Sequence, residues 1–302
     1  MVQDLLPVEL STNGDGAVIA VLTLDQPGRP VVVIDESLLN RLDATLDTLP
    51  EDLGGFVLAS SAPRAFVAGA DLKAIMAMDD AGLHEYLDFG AKVFQKIADL
   101  PCPTAAAIHS TVLGGGLELA MHCDGLVGLI DPEAKPYLVG LPEAGLKICP
   151  GWGGTNLLVA RIDAKDAIVA TANGRAMKSD KADEMGIFDV TVTSAAELIP
   201  AARAWVGAQE KPVRDGKPSR CIDESNGAEM QGALVEARGE LGAEEHTEAV
   251  CDAVGVGIAD GWGAAVQRER DHLVKLRHTQ PAQDAINAFF DKSKKQEIKT
   301  TR

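Results

Sequence analysis

A chain of 302 residues with 46% apolar content is long enough to bury a full core, as one large domain or two smaller ones. Its 45 acidic residues against 28 basic ones give a formal charge of −17, which argues against non-specific binding to nucleic acid or to an anionic lipid surface. Any anionic ligand would need a local basic patch. The opening MVQDLLPVEL has neither a basic n-region nor an apolar h-region, and no stretch reaches about eighteen consecutive apolar residues, so a soluble, cytoplasmic protein without a membrane partner is expected. Cys102, Cys123, Cys149, Cys221 and Cys251 form no CxxC pair and read as reduced, buried thiols. His122 and Cys123 are adjacent, but no further ligand sits at metal spacing, and no metal is expected.

In chain order, AVIAVLTL (17 to 24) is rich in β-branched residues and ends at the turn signal DQPGRP, which predicts a strand. The segment after it places Leu38, Leu39, Leu42, Leu46 and Leu49 on one helical stripe, with Asp35 as N-cap. The alternation then repeats. GFVLAS (55 to 60) reads as a strand, 79 to 99 as a helix, TAAAIH (104 to 109) as a strand, and a short helix follows the glycines of TVLGGGLELAMHCD. GLVGLI and GIFDVTV add β candidates, the second after the helical KSDKADEM. This pattern predicts an α/β core over residues 1–204. From 205 to 302 a polar, Gly- and Pro-rich connector leads into helical periodicity from 228 to 291, packed on the core or on a neighbouring subunit. The basic tail, with Lys292, Lys294, Lys295 and Lys299, is expected to be poorly ordered.

Three segments carry the chemistry. The triple glycine 114 to 116 frees backbone N–H groups at a helix start, an anion or oxyanion site, although such a turn also serves close packing. Neither the P-loop nor the GxGxxG fingerprint is present, so no dinucleotide site is read from this chain. FVAGADLKAI (66 to 75) offers a second small-residue turn around Gly69 and Ala70. LPEAGLKICPGWGGT (141 to 155) adds a carboxylate, Glu143, to the one at Glu118, which interrupts an apolar run. Singly, Glu118 reads equally as a helix-surface residue and Glu143 as a turn cap.

Taken together, AFVAGADLK, GGGLELAMHCD and LPEAGLKICPGWGGT resemble the crotonase superfamily of acyl-CoA enzymes, in that family's order and over most of residues 15 to 200. AIHSTVLGGGLELA, VGLPEAGL and AINAFFDK are similar to the hydratase part of multifunctional fatty-acid oxidation subunits. The resemblance implies a spiral of repeated ββα turns with a helical C-terminal region. It further implies that the N–H groups of Ala70 and Gly115 bind a thioester oxygen, that Glu118 and Glu143 handle water and a proton, and that Ala68, Gly69, Asp71, Lys73, Gly114 and Trp152 contact substrate. Hydration of trans-2-enoyl-CoA is the activity implied. A Δ3,Δ2-enoyl-CoA isomerase, an acyl-CoA hydrolase and a silent acyl-CoA-binding subunit are the alternatives. Coenzyme A enters as part of the substrate and no separate cofactor is expected. Lys73 and Arg64 are the cations nearest the first turn in sequence. A homo-oligomer (trimer or hexamer) or association with other β-oxidation enzymes is the assembly implied.

Three departures from the family pattern bear on this. Ser110 and Thr111 make the approach to the glycines bulkier, LIDPEAKPY (129 to 137) looks inserted between the two glutamates, and Trp152 stands where small residues are common. His109 reads as a strand-end residue making a hydrogen bond.

Overall fold

After an opening hairpin, the strand pairs along the first two hundred residues send their members to different sheets. The computed structural model describes residues 4–300, with side chains from 4 to 292. β1 (Val8–Thr12) and β2 (Val18–Leu24) form an antiparallel ribbon, and α1 (Glu36–Leu46) follows with the Asp35 carboxylate accepting from Leu38 N at 2.8 Å. Leu49 lies just past that helix.

Three turns of one design come next. β3 (Leu53–Ser60), β4 (Ala65–Val67), α2 (Leu72–Ala77) and α3 (Asp80–Ala98) make the first; β5 (Thr104–Ile108), β6 (Thr111–Leu113) and α4 (Gly115–Met121) make the second. The third has β7 (Gly125–Leu129), β8 (Leu138–Gly140), a 3-10 turn at Glu143–Leu146, α5 (Gly154–Val159) and α6 (Ala164–Ala172). β9 (Met177–Lys178), α7 (Ser179–Glu184), β10 (Val190–Val192) and α8 (Ala195–Ala208) close the spiral. The first strand of each turn joins a six-stranded sheet, β1-β2-β3-β5-β7-β10, and the second joins a four-stranded sheet, β4-β6-β8-β9. This is the α/β spiral of ββα turns expected from the resemblance.

Period-two alternation explains why both faces of the larger sheet are covered. Phe56, Leu58, Ala106, Ile108 and Leu126 face the main core with α1 and α3, whereas Val57, Ala105, Ala107 and Val127 face Leu198, Ala202 and Val206 of α8. In the small sheet β4, β6 and β8 run parallel, so the segments leaving their carboxyl ends all emerge on one side. Those segments carry Gly69–Ala70, Gly114–Gly115 and Glu143.

Several expectations shift. The strand expected over GIFDVTV shrinks to Val190–Val192, because Gly186 has φ +83°, Ile187 is buried and the Asp189 carboxylate accepts Leu126 N at 2.7 Å. The 204/205 boundary falls inside α8, which runs to Ala208. The connector beyond is stapled down: Arg214 donates to the carbonyls of Leu100 and Cys102 and to both oxygens of Asp124, at 2.7–2.9 Å.

α9 (Gly227–Glu240), α10 (Glu245–Asp260), α11 (Trp262–Leu276) and α12 (Gln280–Thr300) fold back on the chain's own core. Arg277 donates to the carbonyls of Ile75 and Met78 at 2.5 and 2.9 Å, and Arg270 pairs with Asp88 at 2.6 Å. The basic tail is helical to Thr300, as its helix-favouring Lys, Glu and Gln allow. Side chains of Lys294, Lys295 and Lys299 lie outside the described residues. All five cysteines are buried and unpaired.

Candidate active site

The first turn leaves β4 at Ala68. Gly69 takes φ +106°, its carbonyl accepts Ile34 N and the Ile34 carbonyl accepts Asp71 N, each at 2.9 Å. That parallel bridge steps over Ala70, whose N–H donates to no acceptor among the described residues. Asp71 then caps α2 by accepting from Lys73 N and Ala74 N.

Each of the three glycines of the second turn answers to a different neighbour. Gly114 takes φ +54°, its N–H donates to Gly140 O at 2.9 Å, and a Cβ there would collide with Glu143 Oε1. A Cβ on Gly115 would stand 2.5 Å from Trp152 Cζ3, and one on Gly116 2.6 Å from Val67 O. Gly115 opens α4, and its N–H, like that of Ala70, meets no acceptor among the described residues.

Ala70 and Gly115 line a cavity of ≈390 Å³ with mostly apolar walls, and so do Glu118 and Glu143. Glu118 is 1% exposed, and its Oε1 accepts from Trp152 N at 2.8 Å and Gly154 N at 2.9 Å. Burial raises the Glu118 carboxyl well above the ordinary carboxylate range and repulsion from Glu269 and Glu143 adds to this, while its two N–H donors pull the other way. Burial pushes the Glu143 carboxyl up to about 8, and its Oε2 is buried without a partner among the described residues. His122 is held neutral by burial, near 4, with Nδ1 2.8 Å from the Glu118 carbonyl oxygen.

Of the residues singled out in the sequence, Ala68, Gly69, Ala70, Gly114, Gly115, Glu118, Glu143 and Trp152 line this one cavity. Asp71 and Lys73 do not: the Asp71 carboxylate is engaged as the α2 cap, and Lys73 is exposed with Nζ 5.9 Å above the Phe290 ring. Arg64 is exposed too. The 129–137 segment bulges outward after β7, and β8 returns the chain so that Glu143 reaches the cavity despite the long spacing. Ser110 turns its hydroxyl to Arg64 O at 3.0 Å, and neither it nor Thr111 lines the cavity. Trp152 forms a wall, its indole N–H donating to Leu87 O at 2.9 Å and its ring packed on Tyr86 and Phe94. His109 Nε2 lies 2.8 Å from Ala62 O, the expected strand-end bond.

The sequence reading missed what α11 and α12 bring. Leu273 and Phe289 line the cavity, and Glu269, 0% exposed, accepts from Gly153 N, Thr155 N and Thr155 Oγ1 at 2.5, 2.8 and 2.5 Å. Burial lifts Glu269 to about 7 against those donors. A signal existed: the stripe Ala265, Val266, Leu273 and Leu276 carries an acid at a position its spacing marks as buried.

The sequence pattern of the enoyl-CoA hydratase/isomerase family matches residues 14–214. The fatty acid oxidation complex subunit alpha of Aliivibrio fischeri (strain ATCC 700601 / ES114) is 32% identical over 288 residues, which cover 91% of this chain and 41% of that protein. The chain thus spans less than half of that relative. Among solved structures, an enoyl-CoA hydratase from Bacillus anthracis (22% identity, TM-score 0.59) is covered over 96% of its length by 95% of this chain. One from Bacillus halodurans (17% identity, TM-score 0.63) is covered over 99% by 93% of this chain. These two likenesses speak to the fold. With two-thirds of its residues inside the matched pattern and the spiral in place, the chain belongs to the enoyl-CoA hydratase/isomerase family.

Proposed function

We propose that the protein adds water across the double bond of trans-2-enoyl-CoA thioesters. What supports this reading is that Ala70 and Gly115, whose N–H groups have no acceptor among the described residues, line one apolar cavity together with the buried carboxyls Glu118 and Glu143. The amides receive the thioester oxygen, where charge grows as the enolate forms, and fixed donors in a dry site oppose that charge best. Glu118 holds the attacking water and, in the fraction of enzyme in which the two N–H donors to Oε1 keep its carboxyl ionised against burial and repulsion, takes its proton. Glu143, pushed up to about 8, is protonated at neutral pH and delivers a proton to the carbon next to the thioester. No cofactor is required. Coenzyme A arrives as the substrate's handle, and partnership with other β-oxidation enzymes is proposed from the relative's membership of an oxidation complex.

Glu118→Gln and Glu143→Gln should each lower hydration of crotonyl-CoA by ~10²-fold or more, about 2.7 kcal/mol in barrier. Unchanged rates in both variants would overturn the mechanism. Glu143, whose Oε2 has no partner among the described residues, also supports Δ3,Δ2-isomerisation as a second activity, its ionised form taking a proton from C2 and returning it to C4. Glu118→Gln should then retain conversion of 3-enoyl-CoA while losing hydration.

A further inference from the structure

We infer that Glu269, delivered by the C-terminal helix α11, is a positioning residue of the catalytic centre: it pins the 152–155 strip from behind so that the strip's alternate amides hold Glu118. Four successive N–H groups are shared between two buried acids. Trp152 N and Gly154 N point to Glu118, and Gly153 N and Thr155 N point to Glu269. Gly153, the second residue of the strip, takes φ +94° just before α5, a conformation that favours glycine. Helix α11 fixes the glycine from another side, since a Cβ on Gly153 would collide with the ring of Trp262, seven residues before Glu269.

A packing role alone does not account for an acid here. Glu269 is fully buried, and among the described residues it has no ion-pair partner; all three of its bonds come from the strip. An apolar side chain in that place would avoid the desolvation cost and leave the strip's amides unbound. Glu269 does not line the cavity. Its effect therefore passes through Glu118, and it should alter the rate of the chemical step more than substrate binding.

This inference rests on the hydratase reading for its kinetic arm and is independent of it for its spectroscopic arm. In Glu269→Gln the carboxamide nitrogen must face an N–H or the Thr155 hydroxyl, which displaces the strip. Hydration of crotonyl-CoA should show kcat lower by ~10- to 100-fold with KM within about threefold, the size expected of a misplaced catalytic group. Glu269→Asp, which keeps the charge and both acceptor oxygens, should recover part of that loss. In ¹⁵N-labelled protein without substrate, the amide resonances of Trp152 and Gly154, which touch Glu118 and not Glu269, should move in Glu269→Gln. Thr155→Val, which deletes one donor to Glu269, should move them in the same direction by less, and it decides the matter if Glu269→Gln does not fold. Resonances that stay at their parent positions in these variants, or a change in KM with kcat preserved, would overturn the inference. Shifted resonances in a protein that hydrates nothing would leave Glu269 as the strip's anchor and sink only the hydratase reading.

Discussion

Gly114 is under two constraints that act together. Its φ of +54° with ψ −131° is disfavoured for any side chain, at about 1–3 kcal/mol, and an added methyl would press on Glu143 Oε1. Gly114→Ala should therefore lower stability to urea by that amount and also cut hydration by ~10²-fold, because the acid is pushed from its place. A stability loss with normal kcat would mean the contact with Glu143 has no bearing on catalysis. The site residues that could be read from the sequence were those that break a local rule: three glycines at a helix start and Glu118 inside an apolar run. Glu269 breaks the same rule, but the strip it holds lies more than a hundred residues earlier, and no local pattern says where a helix will dock. Asp71 shows a second reading of the same motif. Its place in the motif suggested substrate contact, whereas an acid directly before a helical run is also a cap signature, and capping is its observed role.

At the scale of elements, β2, β3, β5 and β7 were legible as short apolar runs bounded by turn residues, and α1 as a helical stripe of leucines. The two-sheet arrangement was not legible from periodicity. β4, β6, β8 and β9 are two or three residues long, too short for a pattern, and only the family resemblance anticipated them. The connector is irregular between α8 and α9, as its Gly, Pro and charge indicate, but no local pattern reveals the one long-range guanidinium that ties it down. Arg214→Ala strips Asp124 of its bidentate partner and frees the carbonyls of Leu100 and Cys102. Since both side chains of the pair keep 13% exposure, the expected cost is about 2–3 kcal/mol, at or below the lower edge for a broken buried pair. Arg214 does not line the cavity, so kcat should stay within about twofold of the parent. Urea melts and initial rates on the same preparation check both halves.

For the molecule as a whole, the three buried acids set a pH dependence. Folded, Glu118, Glu143 and Glu269 keep protons that the unfolded chain releases near 4.5, with Glu143 retaining its own to about 8 and Glu269 to about 7. The folded state then binds more protons than the unfolded one across that window, so stability falls as pH rises through it. On the acid side Asp124, held below its usual value by Arg214, gives up its contribution as it protonates. Tm should therefore be highest near pH 4.5–5 and decline toward pH 8, and Glu143→Gln should flatten the decline. The surface charge of −17 pushes in the same direction but is screened by salt. A decline that persists in about 1 M salt belongs to the buried acids; a flat profile there would contradict their raised values.

The placement of α11 also governs when the protein becomes competent during synthesis. Chains fold from the end that leaves the ribosome first, so the spiral can wind as its turns emerge. Until residues past 273 have followed, its 152–155 backbone is braced by an acid on one flank only, and the cavity lacks the Leu273 portion of its wall. A nascent spiral is thus recognisable in sequence well before it is ready to receive a ligand.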